Sequence, residues 1–175
     1  MKLNFSYILI FFVAFSINAQ ETLSDVLKTH NQGSVPYISV QELAMPKTEA
    51  IIFDAREVSE YNVSHLKNAI FVGYDNFNIK TVLETIKDQD KKIVVYCSLG
   101  IRSEDIAELL KKAGYTNVFN LYGGIFEWKN KGFPVFDLNE KETEKVHAFS
   151  KAWSKWLIKG EKVYEKGNQE LRIKN

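Results

Sequence analysis

The residues in this chain best suited to chemistry surround its single cysteine, in the stretch IVVYCSLGIRSEDIAELL. An apolar run, Ile93–Cys97, meets a short loop of Ser98, Leu99, Gly100, Ile101 and Arg102, and a helical pattern opens at Ser103. That order sets the sulfur at the carboxyl end of a strand, facing a helix N-terminus. Three things there favour a negatively charged sulfur: backbone N–H groups with no partner inside the helix, the positive end of the helix dipole, and the cationic Arg102. Gly100 accepts a φ that other residues resist, so the loop can curl its N–H groups inward. Residues Ser98 to Ser103 would then cradle an anion attached to Cys97. The bland alternative is a buried, inert thiol at a strand end, the common state of a free cysteine.

Other polar candidates are weaker. Arg102 either meets substrate or braces the loop by pairing with Glu104, Asp105 or a more distant acid. Asp54 ends an apolar run, where open α/β sheets place their sites. Arg56 and Glu60 are spaced as an i, i+4 ion pair at a helix start. His65 reads as a residue that caps or packs a turn, with general-base work the less favoured role. Asn62-Val63-Ser64 fits a glycosylation sequon, a triplet too common to carry weight. Three histidines, His30, His65 and His147, stand far apart without zinc-type spacing, and one cysteine permits neither an internal disulfide nor a multi-cysteine metal site.

The elements that must position these groups alternate. Short apolar runs rich in Ile, Val, Phe and Tyr occur at Tyr37–Val40, Ala50–Asp54, Ala69–Gly73, Ile93–Cys97 and Asn117–Leu121. Helical patterns fall between them, at Gln41–Met45, Glu57–Tyr61, Asn78–Lys87 and Ser103–Ala113. Alternating strands and helices predict an α/β fold with a parallel sheet covered on both faces. In the helix after Cys97, Ser103 is the expected N-cap, Glu104 and Asp105 suit the first turn, and Ile106, Leu109, Leu110 and Ala113 form an apolar stripe. Gly114 suits the left-handed terminating position. The pair Gly123–Gly124 reads as a turn before a helix. Farther on, Val146, Phe149, Trp153 and Trp156–Leu157 recur at helical spacing until Gly160, which predicts a helix over 139–160. Its aromatic stripe either packs on the domain body or docks a partner or dimer mate, while the Lys/Glu alternation of 139–145 reads as a solvated face.

Composition bounds the rest. The chain has 175 residues, 45% of them hydrophobic and 26% charged, enough for one packed domain with an appendage and inconsistent with wholesale disorder. Lys and Arg number 23 against 22 acids, so nothing in the charge calls for a nucleic-acid partner. Residues 1–19 combine a basic start at Lys2, an apolar run over Tyr7–Phe15 and a small, polar exit ending in Ala19, the pattern of a signal peptide cleaved after Ala19. A retained N-terminal anchor is the alternative, disfavoured because the run falls short of the roughly 20 residues that span a bilayer. Cleavage would leave a chain with no stable membrane span, placed in a periplasm-like or extracellular space. The expected organisation is a signal peptide over 1–19, a linker or short helix over 20–35, a domain over 36–136 and a helical extension over 137–175.

Four ordered motifs make residues 36–136 similar to the rhodanese (thiosulfate sulfurtransferase) domain family. Cys97-Ser-Leu-Gly100-Ile-Arg102-Ser103 looks like that family's active-site loop. Asp54-Ala-Arg56-Glu57 with Glu60-Tyr61 is similar to its first signature, and Tyr122-Gly123-Gly124-Ile125-Phe126-Glu127-Trp128 with Gly132-Phe133-Pro134-Val135 to its closing one. Ser64-His65-Leu66-Lys67-Asn68-Ala69 resembles a Gly-His-Ile-x-Gly-Ala element with both glycines replaced. The resemblance implies a five-stranded parallel sheet flanked by helices on both faces, to which the periodic tail adds a C-terminal helix. It also implies catalysis by Cys97, with Ser98, Leu99, Gly100, Ile101, Arg102 and Ser103 binding substrate and Asp54 and Arg56 supporting the pocket. The loop from Cys97 to Arg102 is six residues long, the length rhodaneses use for sulfur; related phosphatases and arsenate reductases carry one residue more. The implied reaction takes a sulfane sulfur from thiosulfate or a persulfide-like donor onto Cys97 and passes it to a thiol, cyanide or protein thiol acceptor. It needs no metal and no organic cofactor. A non-catalytic persulfide carrier or protein-interaction module on the same fold is the alternative function.

Overall fold

The computed structural model describes residues 21–164; the expected signal segment lies outside them. Its frame is a parallel sheet of β1 (Tyr37–Ile38), β2 (Ile51–Asp54), β3 (Ile70–Phe71), β4 (Ile93–Tyr96) and β5 (Val118–Leu121), in the order β1-β5-β4-β2-β3. The central strand β4 is buried along its whole length, which is why its sequence is apolar without alternation. Its side chains still alternate between two cores. Ile93 and Val95 join Phe53, Val82, Ile106, Leu110 and Val118 on one face; Val94 and Tyr96 join Ile38, Leu121, Ile125 and Phe126 on the other.

Six helices surround the sheet: α1 (Leu23–His30), α2 (Val40–Leu43), α3 (Val58–Val63), α4 (Ile79–Thr85), α5 (Arg102–Lys112) and α6 (Gly124–Asn130). The helices α4 and α5 bury Val82, Ile106 and Leu110 against one face, α2 and α6 bury Val40, Ile125 and Phe126 against the other. From β2 the chain runs outward to β3, and from β4 it runs the opposite way to β5. The crevice between the carboxyl ends of β2 and β4 is therefore the topological switch point, where open sheets bind ligands, and Asp54 and Tyr96 face each other across it.

Of the two expectations for the segment ahead of β1, a linker or a short helix, the described residues form the helix, α1. Thr22 and Asp25 form a reciprocal capping box at the start of α1, and Val26, Leu27 and Val35 are buried. The N-cap of α5 is Ile101, two residues ahead of the expected Ser103, and the Ser103 hydroxyl, inside the first turn, donates to Asn120 Oδ1 at 2.7 Å. Leu109 is exposed and Ala107 takes its place on the buried face. Gly114 closes the helix at φ 104°, its N–H donating to Lys111 O and that of Tyr115 to Leu110 O.

The expected C-terminal helix does not form. After the antiparallel pair β6 (Val135–Phe136) and β7 (Glu142–Thr143), the tail runs through β8 (Lys145–His147), a single 3₁₀ turn at Trp153–Trp156 and β9 (Glu161–Val163), which pairs in parallel with β8. That pairing, extended by Ala148 N–H to Val163 O at 2.8 Å and Glu161 N–H to Glu144 O at 2.6 Å, brings the two ends of the segment together. A continuous helix would hold them apart. The aromatic stripe packs on the domain body: Val146, Ala148 and Leu157 are fully buried there, with Trp153 and Trp156 against them. Among the described residues, no helix is long and apolar enough to cross a membrane.

Candidate active site

Cys97 follows the last residue of β4 and lies at the floor of a cleft of about 260 Å³. The thiol is 2% exposed, so only the cleft reaches it. The Gly100 N–H points at Sγ from 3.1 Å and the Ser103 hydroxyl lies 3.5 Å away. Gly100 holds φ at 105°, where the loop reverses, and a Cβ there would sit 3.2 Å from Leu121 O.

The loop is fastened from several sides. The first amides of α6 are spent on it: Ile125 N–H donates to Cys97 O at 2.9 Å and Phe126 N–H to Ser98 O at 3.2 Å. The Gly100 carbonyl accepts from Asn120 Nδ2 at 2.7 Å and from Asn31 Nδ2 at 2.8 Å. The Glu104 carboxylate, buried at the start of α5, accepts the N–H groups of Gln32 and Ser34. Gly124 allows the α6 contact, because its φ of 54° and missing side chain let the helix start press on the loop backbone.

The charged residues pair differently from their sequence spacing. Arg56 does not meet Glu60. It lies at a bend before α3 begins, where helical i, i+4 spacing has no meaning, and its guanidinium folds back onto Asp54 at 2.6 Å and donates to Ser64 O. Asp54 also accepts the Tyr96 hydroxyl. Asp54 and Arg56 are thus a fully buried brace at the crevice, without contact to the sulfur. Glu60 instead takes Arg102 in a two-point pair, Nη1 to Oε2 at 2.7 Å and Nη2 to Oε1 at 2.8 Å, and accepts the Ser98 hydroxyl at 3.0 Å. Arg102 therefore braces the loop through a distant acid. His65 packs in a turn, stacked on Tyr61 at 4.3 Å and bridged by its backbone to Phe136.

Burial alone would push the Glu60 carboxyl up. The hydrogen bonds and charge of Arg102, the charge of Arg56 and the Glu57 N–H outweigh it and hold the group down at about 2, from an ordinary 4.5. A carboxylate lowered in this way contributes stability that is present above about pH 4.5 and is lost as the pH falls toward 2, on the order of 3 kcal/mol in all. The expected result is that Glu60→Gln is less stable than the parent near neutrality by about that amount, with the gap narrowing between pH 4.5 and 2. Urea midpoints across that range check it; a constant gap would mean the charge is not what matters.

Two residues at this site were absent from the sequence candidates. Phe149 and Trp153, from the tail, complete the cleft with Leu99, Ile101, Ser98 and Arg102. Their spacing was visible, but as a helix stripe.

The chain is similar to known proteins over this same region. It is 37% identical over 94 residues to a tRNA uridine(34) hydroxylase of Erwinia tasmaniensis, a match covering 50% of this chain and 27% of that one. The chain thus spans about a third or less of the length of the curated relatives it matches. Among solved structures, a thiosulfate sulfurtransferase from Pseudomonas aeruginosa superposes with a TM-score of 0.53 at 26% identity, over 59% of this chain and 20% of that one. A rhodanese-related protein from Thermoplasma volcanium gives 0.50 at 27% identity, over 57% of this chain and 96% of that one. The family model of the rhodanese-like domain matches residues 39–131, more than half of the chain, and with the sheet order and the Cys97 loop it places this chain in the rhodanese-like domain family.

Proposed function

We propose that this chain is an exported sulfurtransferase that moves a sulfane sulfur from thiosulfate or a persulfide-like donor to a thiol or cyanide acceptor through a Cys97 persulfide. The observation that carries the reading is the Gly100 N–H aimed at Sγ inside a loop of rhodanese length. The Cys97 thiolate attacks the outer sulfur of the donor. The new S–S bond forms as the donor's own S–S bond breaks, and its electron pair leaves with sulfite or a thiolate. The terminal sulfur on Cys97 is then held by N–H groups of residues 98–102, donors fixed before the reaction. An acceptor thiolate or cyanide takes that sulfur and returns Cys97.

The hydroxylase named for the curated relatives is several times longer than the shared stretch, and a balance of 23 basic against 22 acidic residues gives no electrostatic reason to expect RNA. Export rests on the pattern of residues 1–19. The test of the reaction is mass spectrometry of the Cys97 peptide after exposure to thiosulfate or to a hydropersulfide. One added sulfur atom is expected; an unaltered peptide with both donors would leave only the protein-interaction module.

A further inference from the structure

We infer that Phe149 and Trp153 form a specificity-determining aromatic wall, which selects as sulfur donor a hydropersulfide bearing an apolar organic group over the thiosulfate dianion. The inference rests on the sulfurtransferase reading and narrows its substrate class. Both residues come from the tail, outside the 39–131 stretch that defines the family, so they are a feature of this chain.

Four observations lead there. The cleft over Cys97 is walled by Leu99, Ile101, Phe149 and Trp153. Among the described residues its one charged lining residue is Arg102, whose charge is already answered by Glu60 at 2.7 and 2.8 Å. A dianion entering would lose water against apolar surface with no uncompensated cation to receive it, whereas an apolar group gains by the same burial.

Phe149 also holds φ at 62°, a left-handed conformation that is costly for a bulky residue and persists only where its surroundings impose it. The strained backbone places the Phe149 ring over the Arg102 guanidinium, 4.8 Å from centroid to Cζ. The ring thus covers the cation that an anionic donor would seek. Trp153 is likewise placed before any ligand arrives: its backbone N–H donates to Ser150 Oγ at 3.3 Å and its ring meets His30 edge-on at 5.6 Å. A wall built in advance binds without an ordering cost.

With such a donor, RS–SH, the Cys97 thiolate bonds to the outer sulfur, the RS–S bond breaks, and the electron pair leaves on RS⁻, which takes up a proton from solvent. No oxidant or reductant is consumed. The R group lies against the two rings while the sulfur descends to the thiol.

The experiment measures how fast Cys97 gains one sulfur, by mass spectrometry, from benzyl hydropersulfide and from thiosulfate. Phe149→Ala and Trp153→Ala are each expected to slow loading from benzyl hydropersulfide about fivefold or more, and so to lower the ratio of the benzyl rate to the thiosulfate rate by about that factor. Phe149→Leu, which keeps apolar bulk, is expected to retain most of the benzyl rate. A cooperative urea unfolding transition in each variant certifies that it is folded. Equal slowing with both donors, or no slowing with either, overturns the inference and leaves the Cys97 reaction standing. Failure of the parent protein to load from either donor overturns both.

Discussion

Cys97→Ser is expected to lower sulfur transfer from thiosulfate to cyanide by roughly three orders of magnitude or more. The hydroxyl is close in size to the thiol and can accept the Gly100 N–H that now points at Sγ from 3.1 Å, so the fold should hold to within about 1 kcal/mol. What is lost is a nucleophile able to hold a second sulfur. Thiocyanate formation measures the first effect and the urea midpoint the second. Equal rates from the two proteins would remove Cys97 from the reaction.

The largest expected effect on stability comes from a residue with no side chain. A Cβ at Gly124 would lie 2.2 Å from Cys97 O and 2.8 Å from both Ser98 C and Ser98 O. All three are backbone atoms of the Cys97 loop, so no rotamer change can relieve them. To this is added the strain of an L-residue at φ 54°. Gly124→Ala should therefore cost about 3 kcal/mol or more, a large share of a typical total of roughly 5–15 kcal/mol. Any molecule that still folds must move the loop, and a displacement of about 1 Å at a reacting centre can cost roughly 100-fold in rate. Gly132→Ala is the control: its φ is 84°, but a Cβ there meets nothing within 4 Å. It should cost only about 1 kcal/mol and leave sulfur loading as it was. If the two variants unfold at the same urea concentration, the contact between α6 and the loop is not as tight as described.

What sequence alone could reveal follows from which forces are local. Ile93–Tyr96 announces itself as a central strand because burial on both faces leaves no room for a polar residue. The helix α5 is legible from its buried stripe and from Gly114, both set within a few turns of chain. The Cys97 loop is legible for the same reason: six consecutive residues make it. Pairings between distant segments leave no such mark. Arg102 reaches 42 residues back to Glu60, and Glu60 looks like an ordinary helix-surface acid until α3 is placed beside the loop. The i, i+4 spacing points Arg56 at Glu60, but that geometry presumes a helix that begins only at Val58. In the tail, Val146, Phe149, Trp153 and Leu157 keep a helical period, but that period served a chain folded back on itself, with its apolar residues docked on the core. Periodicity records which residues must leave water, and more than one backbone path can satisfy it.

The tether from Asn31 to the Gly100 carbonyl bears on how this protein can be shortened. Trimming to the stretch 39–131 shared with the family would discard Asn31 on one flank and the Phe149 and Trp153 rings on the other. Such a fragment would carry the Cys97 thiol on a loop short of one anchor, beneath an entrance stripped of its roof. Both flanks belong to the working unit, and excising them changes the instrument as well as its size.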